Sequence, residues 1–91
     1  MATHGDRFPA GSRVHFWTRV VGAEPGALIR HIWIHEGRTV ESIPLEIGGA
    51  HWRTHSRKTM YSTGAWAVEA RDASGRLLAR EEFTCEGAAP R

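Results

Sequence analysis

The stretch AWAVEARDASGRLLAREEFTC, residues 65–85, decides the fold class. Trp66, Val68 and Ala70 alternate with Ala67, Glu69 and Arg71, the period of two that puts successive side chains on opposite faces of a strand. Asp72-Ala73-Ser74-Gly75 then supplies a hairpin loop in which Gly75 takes a positive φ, and Arg76 to Cys85 is the return strand. Cys85 shares a face with Phe83 and is expected in the core. It is the only cysteine, so neither an internal disulfide nor a cysteine-based zinc cluster can form.

The same period extends toward the N-terminus. Ser62 to Gly64 is a turn, and before it His51, Arg53, His55 and Arg57 alternate with Trp52, Thr54, Ser56 and Lys58, so one face of that strand is basic. Thr39 to Ile47 places Ile43, Leu45 and Ile47 on one face. Pro44 lacks an N–H to give to a ladder, which puts this strand at an edge. Across the tight turn Glu36-Gly37-Arg38 lies Ala27 to His35, apolar on both faces and therefore expected to be central. Val14, Phe16, Thr18 and Val20 alternate with His15, Trp17 and Arg19 in the first strand.

About seven short strands with turn residues between them, and no helical periodicity, predict an all-β fold: a single antiparallel β-sandwich of immunoglobulin-like type. Residues 13–86 form the domain, 1–12 a flexible lead-in and 87–91 a frayed tail. A chain of 91 residues holds one core and little room for a deep, enclosed active site. No apolar run is long enough to span a membrane, and no apolar stretch follows the N-terminus as a signal peptide would require. The expected location is cytoplasmic for the chain as written, and exported or membrane-attached for a domain cut from a longer protein.

The succession Ile29-x-His31-x-Trp33, Gly49-x-x-Trp52-Arg53-x-x-Ser56-x-Lys58, Gly64-x-Trp66-x-Val68, Asp72-x-x-Gly75 and a closing Phe83 resembles the bacterial domain-of-unknown-function family 2914. The likeness runs from about Arg13 to Phe83. It implies a β-sandwich often appended to membrane or exported bacterial proteins, with no established reaction. The family's recurrent residues fall on His31, Trp33, Trp52, Arg53, Ser56, Lys58 and Trp66.

The net charge of +2 announces no partner, but its distribution is uneven: no acid lies between Gly48 and Val68, where His51, Arg53, His55, Arg57 and Lys58 stand. A ligand site of His31, His51, Arg53, His55, Ser56 and Lys58, with Trp52 beside it, would suit an anion, a carbohydrate or an acidic protein surface. In a regular strand Arg53 points away from Ser56 and Lys58, so a bulge near Thr54 or His55 is needed to unite them. The plainer expectation is a solvated strand paired to neighbouring acids such as Glu41 or Glu69. Trp33 and Trp66 belong to the core, whereas exposure of Trp17 and Trp52 would favour ligand binding.

Six histidines raise a metal reading, with His4, His31 and His51 as candidates. The pairs His31/His35 and His51/His55, four apart, lie about 13 Å apart along a strand and cannot share an ion alone. No cofactor is expected. No phosphate loop, dinucleotide fingerprint or nucleophile elbow is present. The enzymatic alternative is a small hydrolase or metal-assisted enzyme built on His31, Arg53, Ser56 and His55, in which Ser56 must reach His31 across strands. The leading expectation is a non-catalytic interaction or ligand-binding module, with a homodimer through a sheet edge as a third arrangement.

Overall fold

The computed structural model describes residues 6–87. Seven strands follow in order: β1 (Asp6–Pro9), β2 (Arg13–Val21), β3 (Leu28–His35), β4 (Arg38–Glu46), β5 (His51–Thr59), β6 (Gly64–Asp72) and β7 (Leu77–Glu86). They form a five-stranded sheet in the order β1-β7-β6-β3-β4 and a two-stranded ribbon of β2 and β5. The chain is an all-β sandwich, and every pairing is antiparallel except that of β1 with β7.

The lead-in expected over residues 1–12 thus contains a strand. Asp6–Pro9 runs beside Phe83–Glu86, and Phe8 meets Phe83 edge to face at 5.5 Å. Pro9 is tolerated because β1 is an edge strand and needs no donor there. Residues 1–5 and 88–91 lie outside the described part of the chain, and with them most of the expected tail.

Local chemistry accounts for the turns. Glu36 and Gly37 both take positive φ, 50° and 80°, the two-residue hairpin geometry that matches strand twist. Between β6 and β7 the Asp72 carboxylate accepts from the Ser74 hydroxyl at 2.8 Å, the Ser74 amide at 3.0 Å and the Arg76 amide at 2.9 Å. These bonds, the one from the Ser74 side chain first, hold its pKa below the usual carboxylate value.

Apolar positions from both layers meet in one core. Trp33 of β3 is fully buried, and around it pack Val14 and Phe16 of β2, Trp66, Val68 and Ala70 of β6, Phe83 and Cys85 of β7, and Met60 beyond β5. Trp66 stacks on Phe83 at 6.3 Å and gives its indole N–H to the Ser62 carbonyl at 2.9 Å, so neither ring face nor donor is wasted. As Pro44 required, β4 is an edge, while β3 lies between β4 and β6.

Candidate functional site

The register of the ribbon fixes which residues can act together. Arg13 lies opposite Thr59, His15 opposite Arg57, Trp17 opposite His55, Arg19 opposite Arg53 and Val21 opposite His51, with no bulge anywhere along the pair. Period two then sorts the ribbon into two faces. Even-numbered residues, Val14, Phe16, Thr18 and Ser56 among them, turn toward the five-stranded sheet; odd-numbered residues turn to solvent.

The solvent face carries Arg13, Arg19, Arg53, Arg57, His15, His51, His55 and Trp17, all exposed, and no carboxylate. Among the described residues none of the four guanidinium groups pairs with an acid. Trp17 is 57% exposed. Its indole stacks on His55 at 4.3 Å and 21°, His55 stacks on His15 at 5.9 Å and 23°, and the Arg53 guanidinium stands over the Trp17 ring at 5.7 Å. Planar groups and cations thus form a continuous ladder across the ribbon. A shallow depression lined by Trp17, Thr18, Arg19, His51 and Arg53 lies at one end of it.

The buried face carries a different chemistry. Ser56 Oγ lies 2.6 Å from His31 Nδ1 and accepts the Trp33 Nε1–H at 3.2 Å, while His31 Nε2 lies 2.9 Å from Thr18 Oγ1. The assignment that leaves no buried hydrogen unused runs Trp33 N–H to Ser56, Ser56 O–H to His31 Nδ1, and His31 Nε2–H to Thr18. This network ties β3 of the large sheet to both strands of the ribbon. Burial pulls the pKa of His31 down to about 4, with the charge of nearby His55 a smaller cause. His31 is therefore neutral at pH 7.

The residues singled out in the sequence accordingly fall into four places. Arg53, His51 and His55 share the solvent face, and His31 and Ser56 meet in the core. Lys58, on the inner side of β5, pairs with Glu41 of β4 at 2.9 Å. The bulge that would unite Arg53 with Ser56 and Lys58 is absent. Trp52 is exposed but lies across Gly48 at the ribbon's end, so close that a side chain at Gly48 would stand 2.6 Å from the indole.

Arg13, His15 and Arg19 were not foreseen as members of the site; Trp17 was foreseen only on condition of its exposure, and Arg57 only as part of the basic face of its strand. The sequence did carry a signal: no acid occurs from Arg7 to Ala23, as none does from Gly48 to Val68, and the two acid-free segments are the two that pair.

As to metals, His4 lies outside the described residues, His31 spends both ring nitrogens on hydroxyl partners, and His51 stands exposed on the solvent face. Among the described residues no group of three or more His, Cys, Asp or Glu side chains is placed to hold a metal ion. None of the described residues forms a helix long and apolar enough to cross a membrane.

Comparison with known proteins bears on fold and family. No curated protein sequence matches the chain. Among solved structures the fold is similar to that of a superoxide reductase (neelaredoxin) from Ignicoccus hospitalis, with a TM-score of 0.54 and 17% identity over 89% of this chain and 75% of that one. At that identity the likeness concerns the fold alone. The family model described as "Protein of unknown function (DUF2914)" matches residues 27–85, from the start of β3 almost to the end of β7, and the chain belongs to that family.

Proposed function

We propose that this domain is a non-catalytic binding module that holds an anionic partner on the solvent face of the β2–β5 ribbon. The observation that carries the reading is a sheet face with four arginines, three histidines and an exposed tryptophan and without a single acid. Arg19 and Arg53 stand directly opposite each other, a like-charge pairing that costs stability and that no described carboxylate offsets. Guanidinium groups suit carboxylate or phosphate oxygens, and the Trp17 ladder gives planar or ring-bearing units a surface to lie on.

Hydrolysis draws less support. Ser56 and His31 have the spacing of a nucleophile and its base, but they are 6% and 0% exposed, and Arg53 and His55 point the other way. Catalysis needs those groups to converge in one concavity that substrate can enter.

The test uses fluorescein-labelled polyglutamate and fluorescence anisotropy. The double substitution R19Q/R53Q is expected to weaken binding at least tenfold, and added salt to weaken it further, because the attraction is between exposed charges. Lys58→Gln, whose ammonium is already held by Glu41, should leave binding unchanged. Equal affinity in R19Q/R53Q and wild type would overturn the reading.

A further inference from the structure

The ribbon is two strands wide and the sheet beneath it five, so among the described residues no strand lies above part of the inner surface of the large sheet. The uncovered flank lies along β2, where two crevices of about 230 and 300 Å³ run end to end, the first floored by Phe8, Val68 and Phe83, the second by Ile29, Ala70 and Ala79. Ala79 is exposed although it lies on the same face of β7 as buried Phe83. Nothing among the described residues pairs with β2 on that side.

Hydrogen bonding shows which backbone groups β2 presents there. Gly22 N–H donates to Ala50 O at 2.7 Å, and Met60 N–H donates to Ser12 O at 2.8 Å. Even-numbered residues therefore form the hydrogen-bonded pairs of the β2–β5 ladder. The N–H and C=O groups of Arg13, His15, Trp17, Arg19 and Val21 consequently point along the free edge, and the same residues carry the solvent-facing side chains.

We propose that the free edge of β2, along Trp17–Val21, accepts one extended strand of a partner protein whose residues alternate between acidic and apolar. Backbone pairing would fix the strand, as in other cases of β-strand addition. Its apolar residues would enter the crevice over Ile29, Ala70 and Ala79. Its acidic residues would lie beside Arg19 and, one strand further, Arg53. Glu81 and Glu82 line only the other crevice, near His15, so the acidic positions belong over the Arg19 end. A second copy of this chain fits less well: antiparallel β2–β2 pairing about Trp17 sets Arg19 against His15 of the other copy, with no carboxylate on either solvent face between them. The acidic half of this inference rests on the proposed function; the free edge and the crevice do not.

The experiment uses the 91-residue chain, a peptide of about nine alternating Glu and Val residues, and an isomer of the same composition in blocked order. The alternating peptide is expected to bind at least tenfold more tightly than the isomer. It should slow amide exchange at least tenfold at Trp17, Arg19 and Val21, with little change at Thr18 and Val20. Ala79→Arg, which fills the crevice from an exposed position, should abolish the slowing; R19Q/R53Q should weaken binding while keeping the odd-numbered pattern.

Equal binding of the two peptides, or binding without slowed odd-numbered amides, would overturn the edge and leave the arginine face standing if polyglutamate still binds. Failure of both probes would overturn the proposed function as well as the acidic strand. Protection of the same amides that depends on protein concentration alone would give the edge to a second copy and overturn the partner strand.

Discussion

The two outer faces of the sandwich use arginine in opposite ways. On the five-stranded sheet, Glu69 is buried and receives both Arg71, at 2.8 Å, and Arg80, while Arg80 also holds Glu82 at 3.0 Å. The Glu82 hydrogen bond, and after it Glu69, raises the pKa of the Arg80 guanidinium, keeping the charge fixed in place. On the ribbon, Arg13, Arg19, Arg53 and Arg57 meet no described carboxylate. A cation closed into a network holds a sheet together; one left open at a small cost in stability is available to something outside the molecule. Between the two faces lies the interior, where His31 stays uncharged.

The strongest way to sharpen this contrast is to force an unpaired charge inside. The folded pKa of His31, about 4, lies below its unfolded value of 6.5, so the unfolded chain binds the proton first. The stability contributed by neutral His31 is complete above pH 6.5 and is lost as pH falls toward 4. By linkage the loss is about 2 kcal/mol at pH 5 and about 3 kcal/mol at pH 4. The groups in contact with His31 are Thr18, Ser56 and Phe16, the charge of His55 lies nearby, and no described carboxylate bonds the imidazole to receive its proton's charge. Urea denaturation across this range should show the slope in the wild type and not in His31→Gln, whose amide can bridge the same two hydroxyls. Parallel curves would mean that the interior tolerates the charge.

A smaller effect is expected where the paired face is opened. Glu69→Gln leaves Arg71 and Arg80 without their shared carboxylate; because both arginines reach solvent, the cost should be about 2 kcal/mol by urea denaturation, below that of a fully buried pair. A change within error would place this network with surface pairs of no consequence.

The smallest effects carry the comparison itself. Arg80→Gln should lower stability by about 1 kcal/mol, whereas Arg19→Gln, which relieves the repulsion across from Arg53, should raise it by about 0.5 kcal/mol. If both substitutions destabilise equally, the ribbon arginines belong to the fold, and the contrast between the faces is lost.

Much of this was legible in the sequence, and the remainder was hidden for definite reasons. Alternation at Trp66, Val68 and Ala70, with the turns at Gly37 and Gly75, was enough for a sandwich, because period two and positive φ are local properties. Pro44 marked its edge for the same reason. Period two also separated Arg53 from Ser56 correctly, and it left His31 and Ser56 free to meet, as they do. What no local pattern contains is strand pairing. β2 and β5 are joined through β3 and β4, so neither basic strand alone revealed that their arginines share a face. Asp6–Pro9 was missed because it is short, contains a proline, and pairs in parallel with residues at the far end of the chain.

Ser56 is held at once by His31 and Trp33, two positions apart on β3, and Thr18 holds His31 from the other strand of the ribbon. Apolar packing resists separation of two sheets better than it resists sliding, since it has no preferred direction. To slip by one pleat repeat, about 7 Å, the ribbon must break these bonds together. The cluster is in effect a shear pin: tension applied through anything attached to β2 passes into the five-stranded sheet at His31.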